Sequence, residues 1–137
     1  MPTGSQPSPD DQRPVISLAD ARRHQGARAE RTVARHLWWR GWRICAKNWI
    51  GGGGELDLVV SRWRTIRIVE VRSRPTHAEA FASVDLAKLN RTRQAAAALV
   101  RQHKLTAYRL RIDCAAVDAN GRIAWHTDVL AELPPAQ

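Results

Sequence analysis

Gly51-Gly52-Gly53-Gly54-Glu55-Leu56-Asp57-Leu58-Val59-Val60 and, after one turn, Ile66-Arg67-Ile68-Val69-Glu70-Val71-Arg72 are the runs on which the reading of this chain depends. Both are rich in Val, Ile and Leu and are separated by Arg62-Trp63-Arg64, which predicts an antiparallel hairpin. Side chains alternate along a strand, so Glu55, Asp57 and Val59 share one face and Leu56, Leu58 and Val60 the other. The same rule puts Glu70 and Arg72 on one face together.

Carboxylates inside apolar strands are costly unless a cation or hydrogen-bond donors compensate them. One reading makes Asp57 and Glu70 surface or edge positions, paired with some of the many arginines. In the other, two acids on paired strands hold a divalent metal, and the fixed charge two residues after Glu70 meets a phosphate. Oxygen-only ligation favours magnesium or manganese over zinc. Strand pattern alone leaves both readings open.

The chain has 137 residues, enough for one sizeable core and too few for two ordinary domains. Its expected organisation is a leader over 1–16, one domain over 17–130 and a tail over 131–137. Lys and Arg number 22 against 13 acids, a net charge of +9 with a pI near 11.1. Such an excess favours a polyanionic partner, and nucleic acid is the usual one. No apolar run approaches the ~20 residues of a spanning helix, so no membrane partner is expected. The N-terminus lacks the basic and apolar regions of a signal peptide, which points to the cytoplasm. Cys45 and Cys114 have no Cys-x-x-Cys spacing, so structural zinc is not supported and both thiols are expected buried and free.

The leader is rich in proline and polar residues without periodicity and reads as disordered. Ser17-Leu18-Ala19-Asp20 has the form of a capping box, so a helix is predicted from there to about Arg40, with Gly41 as its stop. Its apolar stripe is read as Ala27, Val33, Ala34, Leu37 and Trp38. Glu30 sits inside that stripe, either bridging to Arg23, Arg31 or Arg35 or reaching over the sheet toward Asp57 and Glu70. Trp42 to Trp49 reads as a first strand, and Gly51 to Gly54 as a flexible connector. The glycine run leads into a strand and lacks a Gly-Lys-Ser/Thr ending, so it is not read as a phosphate cradle.

Ser73 to Ala82 is read as a loop whose His77 is solvated. Ser83 is read as the cap of a second helix, Val84 to about His103, with an apolar stripe of Leu86, Leu89, Ala96, Ala97 and Val100. Lys88, Arg91 and Thr92 lie on another side, either solvated or facing a phosphate backbone. Tyr108 to Val117 alternates as a strand, with Asp113 between basic neighbours as a salt-bridge partner. Asp118 to Gly121 is a turn and Arg122 to His126 a last strand. This predicts an α/β fold: a mixed central sheet flanked by helices, in the order α-β-β-β-α-β-β, with a helical crossover from third to fourth strand. Of the six tryptophans, most are assigned to packing, and only Trp63 is a candidate for contact with a partner.

Glu30, Gly54-Glu55-Leu56-Asp57-Leu58-Val59, Ile68-Val69-Glu70-Val71-Arg72-Ser73-Arg74, Lys88 with Arg91, and Arg111-Ile112-Asp113 together resemble the YraN-like uncharacterised protein family, UPF0102. That family resembles the PD-(D/E)XK nuclease superfamily of archaeal Holliday-junction resolvases and restriction endonucleases. The resemblance runs from about Ala21 to Asp128. It implies a restriction-endonuclease-like fold in which Asp57 and Glu70 bind magnesium or manganese, the Val71 carbonyl is a further oxygen ligand, and Glu30 is an accessory acid. Arg72 stands where the superfamily has lysine. Arginine stays protonated, so it stabilises developing phosphorane charge and is a poor base. Lys88 would then have to approach the vacant lysine role from the next helix, which requires that it point toward Asp57 and Glu70.

The expected function is therefore a metal-dependent nuclease acting on DNA in preference to RNA, on branched or flapped molecules among others, with Lys88, Arg91 and Arg93 on the backbone. The alternative is a nucleic-acid-binding module that kept the nuclease fold and lost the chemistry, Arg72 filling the metal position. A third reading is a structural partner of another protein. A two-fold symmetric substrate would suit a homodimer, although no exposed apolar stripe specifies one.

Overall fold

The computed structural model describes residues 18–129; the expected leader, the Ser17 cap and the tail lie outside the described residues. The elements are α1 (Leu18–Trp39), β1 (Arg43–Gly51), β2 (Gly54–Arg62), β3 (Thr65–Ser73), α2 (His77–Ala82), α3 (Leu86–Gln102), β4 (Arg109–Val117) and β5 (Ile123–His126). The five strands stand side by side in sequence order. β1, β2 and β3 form antiparallel hairpins, β3 and β4 are parallel, and β4 and β5 antiparallel. A parallel pair needs a long crossover, and α3 supplies it. The expected mixed sheet with flanking helices is the fold observed.

Each helix buries one face of the sheet. Ala29, Val33, Ala34 and Leu37 of α1 pack with Leu58, Val60, Val69, Ala115 and Val117. On the other face Ala95, Ala96 and Leu99 of α3 pack with Val59, Ile66, Ile68, Ile112 and Cys114. The stripe on α1 is thus displaced from the sequence reading: Ala29 is buried, whereas Ala27 and Trp38 are exposed. α3 is displaced further, with Thr92, Ala95, Ala96, Ala98 and Leu99 inward and Leu86 and Ala97 exposed. Alanines occur all round this helix, so no apolar stripe marks its inner face.

Other local expectations are corrected. A short helix, α2, occupies the predicted loop, capped by Thr76, whose hydroxyl accepts from the Glu79 amide. Asp85, not Ser83, caps α3 and accepts from the Lys88 amide at 2.7 Å. Gly52 and Gly53 are a tight turn with positive φ, and Gly51 and Gly54 already belong to strands. A side chain at Gly52 would meet the Gln94 carbonyl at 2.6 Å, and one at Gly54 would collide with the Arg91 carbonyl. The glycine run is the seat on which α3 rests, and no flexible connector. Cys114 is buried as expected, but Cys45 is exposed.

Asp113 is the predicted salt-bridge partner. It is fully buried and accepts from Arg67, from Arg111 at 3.1 Å and from the Asp128 amide at 2.7 Å. Arg67 lies between the rings of Trp42 and Trp125, at 5.3 and 4.2 Å from their centroids, so its charge is paired and its flat faces are covered.

Candidate active site

The β2–β3 ladder runs from Arg62 and Thr65 to Leu58 and Val69 and stops there. At the next position Asp57 intervenes: its Oδ2 accepts the Val71 amide at 2.9 Å, a backbone donor that a continued ladder would have used. Alternation breaks at the same point. Leu58 and Val60 pack toward α1, as the period requires, but Leu56 joins Val59 on the α3 side. The strands therefore part at Asp57, and the acids stand at the opening.

Glu70 lies beside Asp57 and is 2% exposed. Burial, and then the Asp57 charge, push its carboxyl up to about 7, against the pull of Lys88 and Arg72. Its Oε1 receives both cations, Arg72 Nη2 and Lys88 Nζ each at 3.5 Å. Among the described residues no donor reaches its buried Oε2, which Asp57 partners only when one of the two carboxyls is protonated. Lys88 occupies the first turn of α3, where a cation opposes the helix dipole. Asp85, capping that turn, and Glu70, facing it, supply the compensating negative charge. The buried Thr92 donates its hydroxyl to the Lys88 carbonyl at 3.0 Å.

Glu30 reaches the cluster from α1. Its carboxyl is raised first by burial and then by Asp57, while Asn48 donates to it at 3.4 Å. Among the described residues no set of three or more His, Cys, Asp or Glu side chains is placed to hold a metal by itself. Two carboxylates, a backbone carbonyl and water remain the available oxygen donors. Asp57, Glu70, Arg72, Lys88 and Glu30 are brought together, and Lys88 points toward the acids as its expected role required. Arg91, one turn on from Lys88, is exposed on the adjoining surface. Arg93, half-buried and five residues from Lys88, lies ~140° round the helix from it.

Residues 29–117 match the model of the Uncharacterised protein family UPF0102. The chain belongs to this family. The matched span contains every acid and cation of the cluster. Relatives include the UPF0102 protein of Dinoroseobacter shibae, 36% identical over 80% of this chain and 88% of its own length. The UPF0102 protein of Paenarthrobacter aurescens is 37% identical over 70% and 81%. That of Pseudomonas fluorescens is 34% identical over 79% and 94%.

Three residues of this UPF0102 site escape a reading by pattern. Asn48 holds a positive φ of 51 inside β1, a conformation that asparagine tolerates better than most residues, and this brings its amide to Glu30. Asp85 takes the capping place assigned to Ser83, and Asp before an apolar helical run is the signal that marks it. Thr92, expected with Lys88 and Arg91 on a side either solvated or facing a phosphate backbone, is instead buried, because Gly52 and Gly54 let α3 come close. Trp63, the tryptophan singled out in the sequence, is 93% exposed at the β2–β3 turn, six residues or ~20 Å along the strand from Asp57. His77 stays with the β4–β5 turn, its Nε2 2.9 Å from the Arg122 carbonyl. No helix among the described residues is long and apolar enough to cross a membrane.

Proposed function

We propose that this UPF0102 protein is a metal-dependent nuclease that hydrolyses phosphodiester bonds in DNA, branched or flapped molecules among its substrates. One observation carries the reading: a buried carboxylate, Glu70, stands beside Asp57 where two strands part, with one oxygen that no described donor reaches and a lysine at the other. A buried, unpaired carboxylate oxygen is costly, and a hard cation is the partner that removes the cost. Asp57, Glu70 and the Val71 carbonyl would hold magnesium or manganese. When bound, such an ion polarises a phosphate oxygen and lowers the pKa of water.

The protein's own groups do the rest. Lys88 Nζ, 3.5 Å from Glu70 Oε1 at the mouth of the site, would meet the phosphoryl group with a positive charge. Arg72 stays charged and neutralises the negative charge that develops on the phosphoryl oxygens. Glu30 adds negative potential on the α1 side, and Arg91 lies where a phosphate of the same strand would pass.

The second reading is a binding module without catalysis, favoured by the placement of Arg72 and Lys88 on the same Glu70 oxygen. Two fixed cations there satisfy part of the charge that a metal would. Calorimetric titration with magnesium or manganese separates the readings. A saturable heat that disappears in Asp57→Ala is the nuclease result. DNA binding with no metal response in either protein gives the site to the module.

A further inference from the structure

We infer that the outer side of α1 and the adjoining edge of β1 form a track for an unpaired nucleic-acid strand, with Trp38 as its base-stacking platform. Trp38 and Trp39 are 61% and 73% exposed, their rings edge to face with centroids 5.4 Å apart. Large indoles in water at the end of a helix are an expensive use of surface, and packing does not account for them. Two recesses adjoin at this point, of about 300 and 490 Å³, and share Trp38 and Ile44 as walls. Arg31, Arg35 and Lys47 line the first and Arg43 the second, and among the described residues no carboxylate lines either.

Arg31, Arg35 and Trp38 follow one another at helical spacing, so they form a single file on α1. A single file of cations ending on an exposed indole suits one backbone with bases free to stack. In a duplex those bases are stacked on each other and not available. The track leads to the acids: the Lys47 charge acts on Glu30, and Glu30 in turn feels Asp57. From Glu30 to Trp38 is eight residues, ~12 Å of helix. The direction of the strand rests on the nuclease reading; the track itself does not.

The test is binding of fluorescent oligonucleotides to the full chain in EDTA, where no cleavage interferes. Blunt duplexes are compared with duplexes bearing a single-stranded arm. Trp38→Ala is expected to weaken binding of the arm-bearing DNA by about 5- to 100-fold and leave the blunt duplex unchanged. Trp38→Phe, which keeps a ring, restores most of the loss, and Arg35→Ala lowers the salt slope for the arm-bearing DNA by about one. Equal affinity of Trp38→Ala and wild type for the arm overturns the proposal, as does an equal loss for both DNAs. So does self-association that Trp38→Ala abolishes without altering DNA binding, which would give the face to a second copy. A protein that cleaves nothing yet shows the Trp38-dependent preference keeps the track and loses the nuclease reading; the converse result keeps only the nuclease.

Discussion

Glu70 combines three features that oppose ionisation: burial, the Asp57 charge, and a hydrogen bond with Asp57 that needs one of the two carboxyls protonated. Its folded-state pKa, pushed up to about 7 from 4.5, means that the native protein holds this proton more tightly than the unfolded chain. The contribution to stability is therefore complete below pH ~4.5 and is lost as pH rises through about 7. At ~1.36 kcal/mol per pH unit the interval amounts to on the order of 3 kcal/mol. Thermal denaturation should show Glu70→Gln melting above the wild type at pH 8 and level with it near pH 4. An equal melting temperature at pH 8 would mean that Glu70 ionises at no cost. Under the nuclease proposal Lys88 is also testable. If the nuclease proposal holds, Lys88→Ala should slow cleavage by about 10²-fold while the calorimetric response to metal persists, because the proposal gives it a charge facing the phosphoryl group and no place among the ligands. Loss of the metal response in that variant would make it a structural counter-ion instead.

At the scale of elements, the position of Lys88 depends on how closely α3 approaches β2. Gly54 lets the Arg91 carbonyl come against the strand, and a Cβ there would meet backbone. Gly54→Ala should cost about 1–3 kcal/mol in urea denaturation by forcing the helix outward, and should lower cleavage more than the stability loss explains. Unchanged stability would show that α3 is not seated on the glycines. The same contact explains what could and could not be read in the sequence. The strands of the central hairpin are legible because Leu, Val and Ile recur with period two, and the crossover helix because a parallel pair needs one. The inner face of α3 is not, because alanine fits both close packing and solvent, and the glycines that decide between them lie some 40 residues earlier in the chain. Asp57 and Glu70 are visible as acids out of place in apolar strands. That Leu56 crosses to the α3 side is not visible, since it follows from Asp57 taking the Val71 amide, a tertiary contact. The six residues of α2 are too few to set a period.

At the scale of the whole molecule, a net charge of +9 draws any polyanion, so affinity alone identifies nothing. Its distribution is more informative: Lys88 stands at Glu70 with the exposed Arg91 one turn on, and Arg31, Arg35 and Lys47 lie on the far side of Glu30. DNA affinity should fall steeply with salt, and Arg91→Ala should reduce the slope of log affinity against log salt by about one, across DNA sequences alike. A slope that Arg91→Ala leaves unchanged would remove this residue from the backbone contacts. Cleavage decides whether Asp57 and Glu70 form the working centre of a nuclease. Wild type and Asp57→Ala are incubated with linear, flapped and four-way DNA in magnesium or manganese. The expected result is cleavage by the wild type alone, abolished by EDTA; cleavage by neither protein, with DNA binding intact in both, or by both alike, would contradict it.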